Sequence, residues 1–304
     1  MNVMTVLGNV DSSVLGITLP HEHLFINLTG LVDKPLKKEN PLFYQKLRLN
    51  NRYAVYSDPY ALLDNAVMDN YETAKKEMMF YKKSGGNTIV DVTLNDIGRN
   101  ILLLKNLSQE TEVNIIAGCG HYTDASLNIR TKGMTIYELA DEMINDITKG
   151  IDGTDIKAGV IGEIGTSAEV TPMEMKVLKA SAIASIETGK GIHIHTSLYE
   201  ENGIDICKFL ISNGVKPEKI CIDHIDVVLK KDYLLKLLQF GVYIEFDNFG
   251  KEFFLPVRSE GLLKGRFAYD LERVKTIKEL VDLGYINQIL ITNDICLKSM
   301  LFSY

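Results

Sequence analysis

Eight short apolar runs, rich in β-branched residues, recur along the chain: GITLP (16–20), NTIVDVT (87–93), VNIIAGCG (113–120), AGVIGEIG (158–165), GIHIHTS (191–197), KICIDHID (219–226), VYIEFDNFG (242–250) and QILITND (288–294). Near-continuous hydrophobicity within a run is what a strand covered on both faces requires. Between them, apolar residues spaced three and four apart predict helices, among them 71–85, 135–150, 171–189 and 232–241. Gly85, Gly150, Gly189, Gly241 and Gly284 stand where such helices should stop. Thr171, with Pro172 and Glu174 after it, reads as an N-cap. Eight strands alternating with helices predict a single α/β domain over 1–304, a (β/α)8 TIM barrel, with an open doubly wound sheet as the competing architecture. Residues 30–70, basic and tyrosine-rich, interrupt the rhythm directly after the first strand. In a barrel that is a loop of the catalytic face, so a lid-like insertion is expected, against a surface insertion without function.

Composition narrows the class. Of 304 residues 46% are hydrophobic and 24% charged, which fits a core-forming globular chain. A formal net charge of −7 argues against a nucleic-acid partner. No apolar run reaches membrane-spanning length, and the first residues do not read as a signal peptide. Four cysteines without a CxxC pair suit a reducing compartment, so a cytoplasmic protein acting on a small molecule is expected.

All six histidines, His21, His23, His121, His193, His195 and His224, fall at or just past the C-terminal end of a predicted strand, where barrels build their sites. His21 and His23 are two apart, so an extended backbone points both rings to one side and Glu22 to the other. Glu163, His195, His224 and Asp294 come from other strand ends, which converge in a closed barrel. Four imidazoles and two carboxylates suit Zn²⁺ or a similar ion, and six ligands exceed the need of one tetrahedral site. Two bridged divalent metal ions account for the surplus.

The motifs LPHEH, GEIGTS, IHIHTS, CIDHID and ITND, with GRN (98–100), GCGHYTD (118–124) and YIEFDNFGKE (243–252), resemble in order and spacing the phosphotriesterase-related family of the amidohydrolase superfamily, in its phosphotriesterase homology protein branch. The resemblance implies a (β/α)8 barrel with a binuclear centre, Zn²⁺ first among the candidates and Mn²⁺ or another ion next. It implies His21, His23 and Asp294 on the more buried metal and His195 and His224 on the more exposed one. Glu163 takes the bridging position that a carboxylated lysine holds in the phosphotriesterases proper, which weakens any organophosphate assignment. The implied reaction is hydrolysis of a lactone, ester or amide by a metal-bridging hydroxide, with Asp294 as the catalytic proton acceptor. His121 and Tyr122 are expected to line the pocket, and Arg99, Lys251 and Arg273 to contact an anionic or phosphorylated substrate. His193 is expected to be an inward core or supporting residue, and Cys221 and Cys296 buried small apolar groups. A homodimer is an expectation by analogy.

Ten residues follow Asp294, fewer than a further loop and helix need, so a barrel lacking its last helix is expected. The sequence also has no Trp. Translation stopped at a UGA codon that its own genome reads as Trp would account for both. The alternative is a truncated, non-catalytic or decayed metal-binding barrel.

Overall fold

The computed structural model describes residues 2–32, 39–252, 254–255 and 265–304. The apolar runs form β1 (Ile17–Glu22), β2 (Gly86–Asp91), β3 (Asn114–Cys119), β4 (Val160–Gly165), β5 (Ile192–His195), β6 (Ile220–Ile222), β7 (Tyr243–Phe246) and β8 (Ile289–Ile291). They pair in parallel and in chain order from β1 to β8. The crossovers carry α1 (Tyr71–Lys83), α2 (Ile101–Thr111), α3 (Ile136–Thr148), α4 (Pro172–Thr188), α5 (Gly203–Ser212), α6 (Lys231–Gln239) and α7 (Asp270–Asp282). Unbroken sequential order distinguishes this nearly closed (β/α)8 barrel from the open sheet, whose strand order reverses at a switch point.

The remaining seam, between β8 and β1, is joined by a side chain. Glu22 accepts from the Thr292 hydroxyl (2.6 Å) and from the backbone N–H of Asn293 (3.0 Å) and Ile295 (2.8 Å). It is 4% exposed. Its position between His21 and His23 sends it away from the face those rings occupy, which puts it over the seam.

Alternation sorts each strand. On β5, Ile192 and Ile194 join the apolar layer under the helices, leaving His193 and His195 for the barrel interior. The helices begin where their caps are. Thr171 and Glu174 form a reciprocal capping box at α4, and Glu174 also accepts from the N–H groups of Asp124 and Ser167, tying two catalytic-face loops to one helix start. Gly189 ends α4 at φ +71°, a conformation costly for a residue with a Cβ.

An antiparallel hairpin, Asn2–Thr5 with Gly8–Asp11, precedes the barrel and was not among the expected elements. Val6 N–H donates to Ile115 at the start of β3, which places the hairpin at the end of the barrel opposite the histidines. The expected insertion is structured over 39–70, with Phe43, Leu47, Val55 and Leu62 buried in it; residues 33–38 lie outside the described residues. Asp64 joins it to the chain after β8 through Lys298 at 2.9 Å. Among the described residues no α-helix follows β8, and Ile17 and Ile291 are 63% and 49% exposed. No helix among them is long and apolar enough to cross a membrane.

Candidate metal centre

The strand ends bring His21, His23, Glu163, His195, His224 and Asp294 together. Glu163, at the end of β4, lies between two groups. Its Oε1 is 3.4 Å from His23 Nε2, while its Oε2 is 3.1 Å from His195 Nδ1, 3.4 Å from His224 Nε2 and 3.6 Å from His21 Nε2. Asp294 Oδ1 is 3.1 Å from His23 Nε2 and 3.8 Å from His21 Nε2. All six are buried except His195, which is partly exposed. His224 and Asp294 adopt left-handed backbone conformations, φ +61° and +44°. For residues other than glycine such conformations cost about 1–3 kcal/mol each and persist only where the surroundings impose them. Glu22, on the N–H groups either side of Asp294, is one such constraint.

Supporting groups set which ring nitrogen faces the centre. His23 Nδ1 is 2.9 Å from the Thr93 hydroxyl, and His21 Nδ1 is 3.0 Å from Glu245 Oε2. Both arrangements direct Nε2 to the centre. Asp247 accepts from His224 N–H (2.8 Å) and lies 3.0 Å from its Nδ1. Burial alone would raise the Glu163 carboxyl, but the His21, His195 and His224 rings outweigh it and hold the group well below the ordinary range. Asp294 behaves alike: burial raises it, and Lys251 with the His23 and His21 rings holds it far lower. Both offer anionic oxygens.

The donor set fits metal ions. Bonds of about 2.0–2.1 Å in a tetrahedral site put ligand atoms about 3.3 Å apart, the scale of the separations around Glu163. His21 Nε2 is buried with no hydrogen-bond partner. Three subsets of these residues meet the spacing of an ion site: His21, His23 and Glu163; His21, His224 and Asp294; and Glu163, His195 and His224. A cavity of ≈ 210 Å³ opens over them, walled by Ile26, Leu28, Tyr60, Tyr122, Leu198 and Phe267. Lys251 Nζ pairs with Asp294 Oδ2 at its edge.

The profile of the phosphotriesterase family matches residues 1–304. The chain belongs to that family. It is 36% identical over 304 residues to the N-acetyltaurine hydrolase of Bos taurus, covering 99% of this chain and 86% of that protein. Among solved structures it is similar to a resiniferatoxin-binding protein from Rhodobacter sphaeroides (TM-score 0.93, 29% identity, covering 100% of this chain and 84% of that one). It is also similar to the phosphotriesterase homology protein from Escherichia coli, complexed with phosphate in its active site (TM-score 0.77, 31% identity, 95% and 86% covered). This phosphotriesterase-family chain is a hydrolase, which replaces the non-catalytic alternative.

The residues expected to contact substrate divide. Tyr122 and Lys251 line the cavity, and the Tyr122 hydroxyl is 3.1 Å from His195 Nδ1. Arg99 does not: its guanidinium donates to Gly118 O (2.9 Å) and to Asp152 (3.2 Å), bracing the loops after β2 and α3. Arg273 is fully buried, donating to Asp226 (2.8 Å) and Asp270 (2.8 Å). His121 faces Asp96 (3.1 Å) behind the cavity wall. None of these three lines the cavity, because each is taken up by a partner distant in sequence: Asp152 for Arg99, Asp226 for Arg273 and Asp96 for His121. Cys296 also departs from expectation, since it lines the cavity 3.9 Å from Asp294 Oδ2, whereas Cys221 is buried. Glu22, Thr93, Glu245 and Asp247 were not singled out from the sequence. The signal was available for two of them, because Glu245 and Asp247 are carboxylates two apart in an otherwise apolar strand run.

Proposed function

We propose that this hydrolase holds two divalent ions, Zn²⁺ first and Mn²⁺ next, and cleaves the amide bond of a small N-acyl compound carrying an anionic group, with lactones and esters as slower substrates. The observation that carries the reading is Glu163, whose Oε1 faces His23 while its Oε2 lies among His195, His224 and, at 3.6 Å, His21, so that the carboxylate sits between the two groups as a bridging ligand would. His21, His23 and Asp294 hold the ion on one side, and His195 and His224 the ion on the other. Bound there, such ions supply Lewis acidity toward a carbonyl oxygen and lower the pKa of nearby solvent. Asp294 turns Oδ1 toward His23 and Oδ2 toward Lys251 at the cavity edge; with the Lys251 ammonium turned to the substrate's anion, Oδ2 would be free to take a proton from the attacking solvent molecule and return it to the leaving nitrogen. Tyr122, Tyr60 and Phe267 exclude bulk water around the acyl group.

Lys251 supports an anionic substrate. It is 3% exposed, and the anion in contact with it is Asp294. Once Asp294 shares its charge with bound ions, a buried ammonium needs another anion, and the substrate's sulfonate or carboxylate supplies it. The bovine relative is named for an acetyl amide of an amino sulfonate, which agrees with both parts of this reading. The test is metal analysis followed by turnover of N-acyl amino sulfonates, N-acyl amino acids, lactones and esters with Zn²⁺ or Mn²⁺. Chelator-sensitive amide hydrolysis, lost with one or both ions in Glu163→Gln, is expected. Full metal content and rate in that variant would overturn the bridging role.

A further inference from the structure

Below the six residues just described, a second group of donors meets in the barrel interior. His193 from β5, Asp223 following β6 and Glu245 from β7 approach one another there, with the far nitrogen of His21 beside them. His193 Nδ1 is 3.3 Å from Asp223 Oδ1 and 3.6 Å from Glu245 Oε2. His21 Nδ1 is 3.0 Å from Glu245 Oε2 and 3.5 Å from Asp223 Oδ2. With one oxygen from each carboxylate, Asp223 Oδ1 and Glu245 Oε2, three of the six edges of a tetrahedron are therefore close to the ~3.3 Å that bonds of about 2.0–2.1 Å dictate. All four donors fall within the spacing of a single ion site, as the groups around Glu163 do.

A second observation is independent of that spacing. Asp223 and Glu245 are fully buried, and both oxygens of Asp223, Oε1 of Glu245 and Nδ1 of His193 have no hydrogen-bond partner. Two carboxylates this deep need a compensating charge, which without an ion falls to the His193 and His21 rings beside them, both raised against burial by these carboxylates. Arg273, Arg99 and Lys251 are committed elsewhere, to Asp226, Asp152 and Asp294. One divalent ion would balance both carboxylates and satisfy the unpartnered atoms together.

We propose that His193, Asp223 and Glu245 form a third cation site, selective for Zn²⁺ or a similar ion that accepts nitrogen and oxygen donors, with His21 Nδ1 at its fourth corner. His21 then faces one ion with each ring nitrogen, and loading the third site releases its Nδ1 proton to solvent. The two carboxylates offset the repulsion between the third ion and the centre above. The site shares His21 with the paired centre but not Glu163, so Glu163→Gln separates the failure of one from the failure of the other.

The experiment counts ions. Full-length protein is loaded with Zn²⁺, dialysed against metal-free buffer and analysed for metal per chain, beside His193→Asn, Asp223→Asn and Glu163→Gln, each checked for native circular dichroism. Three ions in the wild type, two in His193→Asn and Asp223→Asn, and at least one retained in Glu163→Gln are expected. Anomalous diffraction at the zinc edge should place the third ion between His193 and Glu245. No anomalous peak between His193 and Glu245 in the zinc-loaded wild type overturns the proposal, as does an unchanged count in a folded His193→Asn protein. The triad is then a hydrogen-bonded support for His21.

Discussion

Replacing Glu22 with alanine tests how the barrel seam and the metal centre depend on each other. The carboxylate accepts from two backbone N–H groups and one hydroxyl at 2.6–3.0 Å, in a place that water does not reach. The Thr292 hydroxyl keeps a second acceptor, the His21 carbonyl at 3.2 Å, but the N–H groups of Asn293 and Ile295 lose theirs. Each orphaned buried donor costs about 1–3 kcal/mol, so the loss is about 4 kcal/mol. At about 2.1 cal/mol/K per residue the chain unfolds with an entropy of about 0.6 kcal/mol/K, so Tm should fall by about 6 °C. There is a second consequence. Bonds to the carboxylate contribute roughly 1.5–3 kcal/mol each and together exceed the ~1–3 kcal/mol cost of the left-handed Asp294. Without them Asp294 relaxes and leaves His23, and metal affinity should fall about 10–100-fold. Glu22→Gln should lie between, because its amide offers one good acceptor and turns a donor toward the other N–H. Thermal unfolding by circular dichroism and chelator competition read the two effects. A Glu22→Ala protein with wild-type Tm and metal affinity would refute the account of the seam.

Three further outcomes are expected. Lys251→Met should raise KM for an N-acyl amino sulfonate or carboxylate about tenfold, roughly 1.4 kcal/mol, while leaving KM for a neutral ester nearly unchanged; equal effects on both would remove its anion-binding role. Burial raises the Asp146 carboxyl to about 7, with Arg99 opposing and Asp152 and Glu142 adding to the rise. Between about pH 4 and 7 the folded state then binds more protons than the unfolded one, so stability should fall as pH rises through that window; urea unfolding should show Asp146→Asn losing less over it. Stripping the ions with a chelator should lower Tm, and Zn²⁺ should restore it in a concentration-dependent way, because an ion that binds only the folded state stabilises it by mass action.

The barrel was legible because strands buried on both faces leave a plain mark, an apolar run ended by Gly or a polar turn. The convergence of His21, His23, Glu163, His195, His224 and Asp294 was legible for a related reason. Histidine and acidic residues at the C-terminal ends of such runs have few structural uses, and convergence follows from closure of the sheet. What sequence hid was pairing across distance. Arg99 and Asp152, or Arg273 and Asp226, lie 53 and 47 residues apart, and no local pattern reports that each arginine is taken up internally. Glu22 was seen to point away from the ligands, but its role on the Asp294 loop depends on a contact 270 residues away, which only a closed barrel creates. The N-terminal hairpin is four residues a side with mixed polarity, too short to show a period.

The central claim is that Glu163 bridges two ions. A crystal structure of zinc-loaded protein, with anomalous differences measured on both sides of the zinc edge, tests it most directly. The account predicts two peaks about 3.5–4 Å apart, one against His21, His23 and Asp294 and the other against His195 and His224, with a Glu163 oxygen on each. A single peak, or two peaks with Glu163 touching neither, would contradict it.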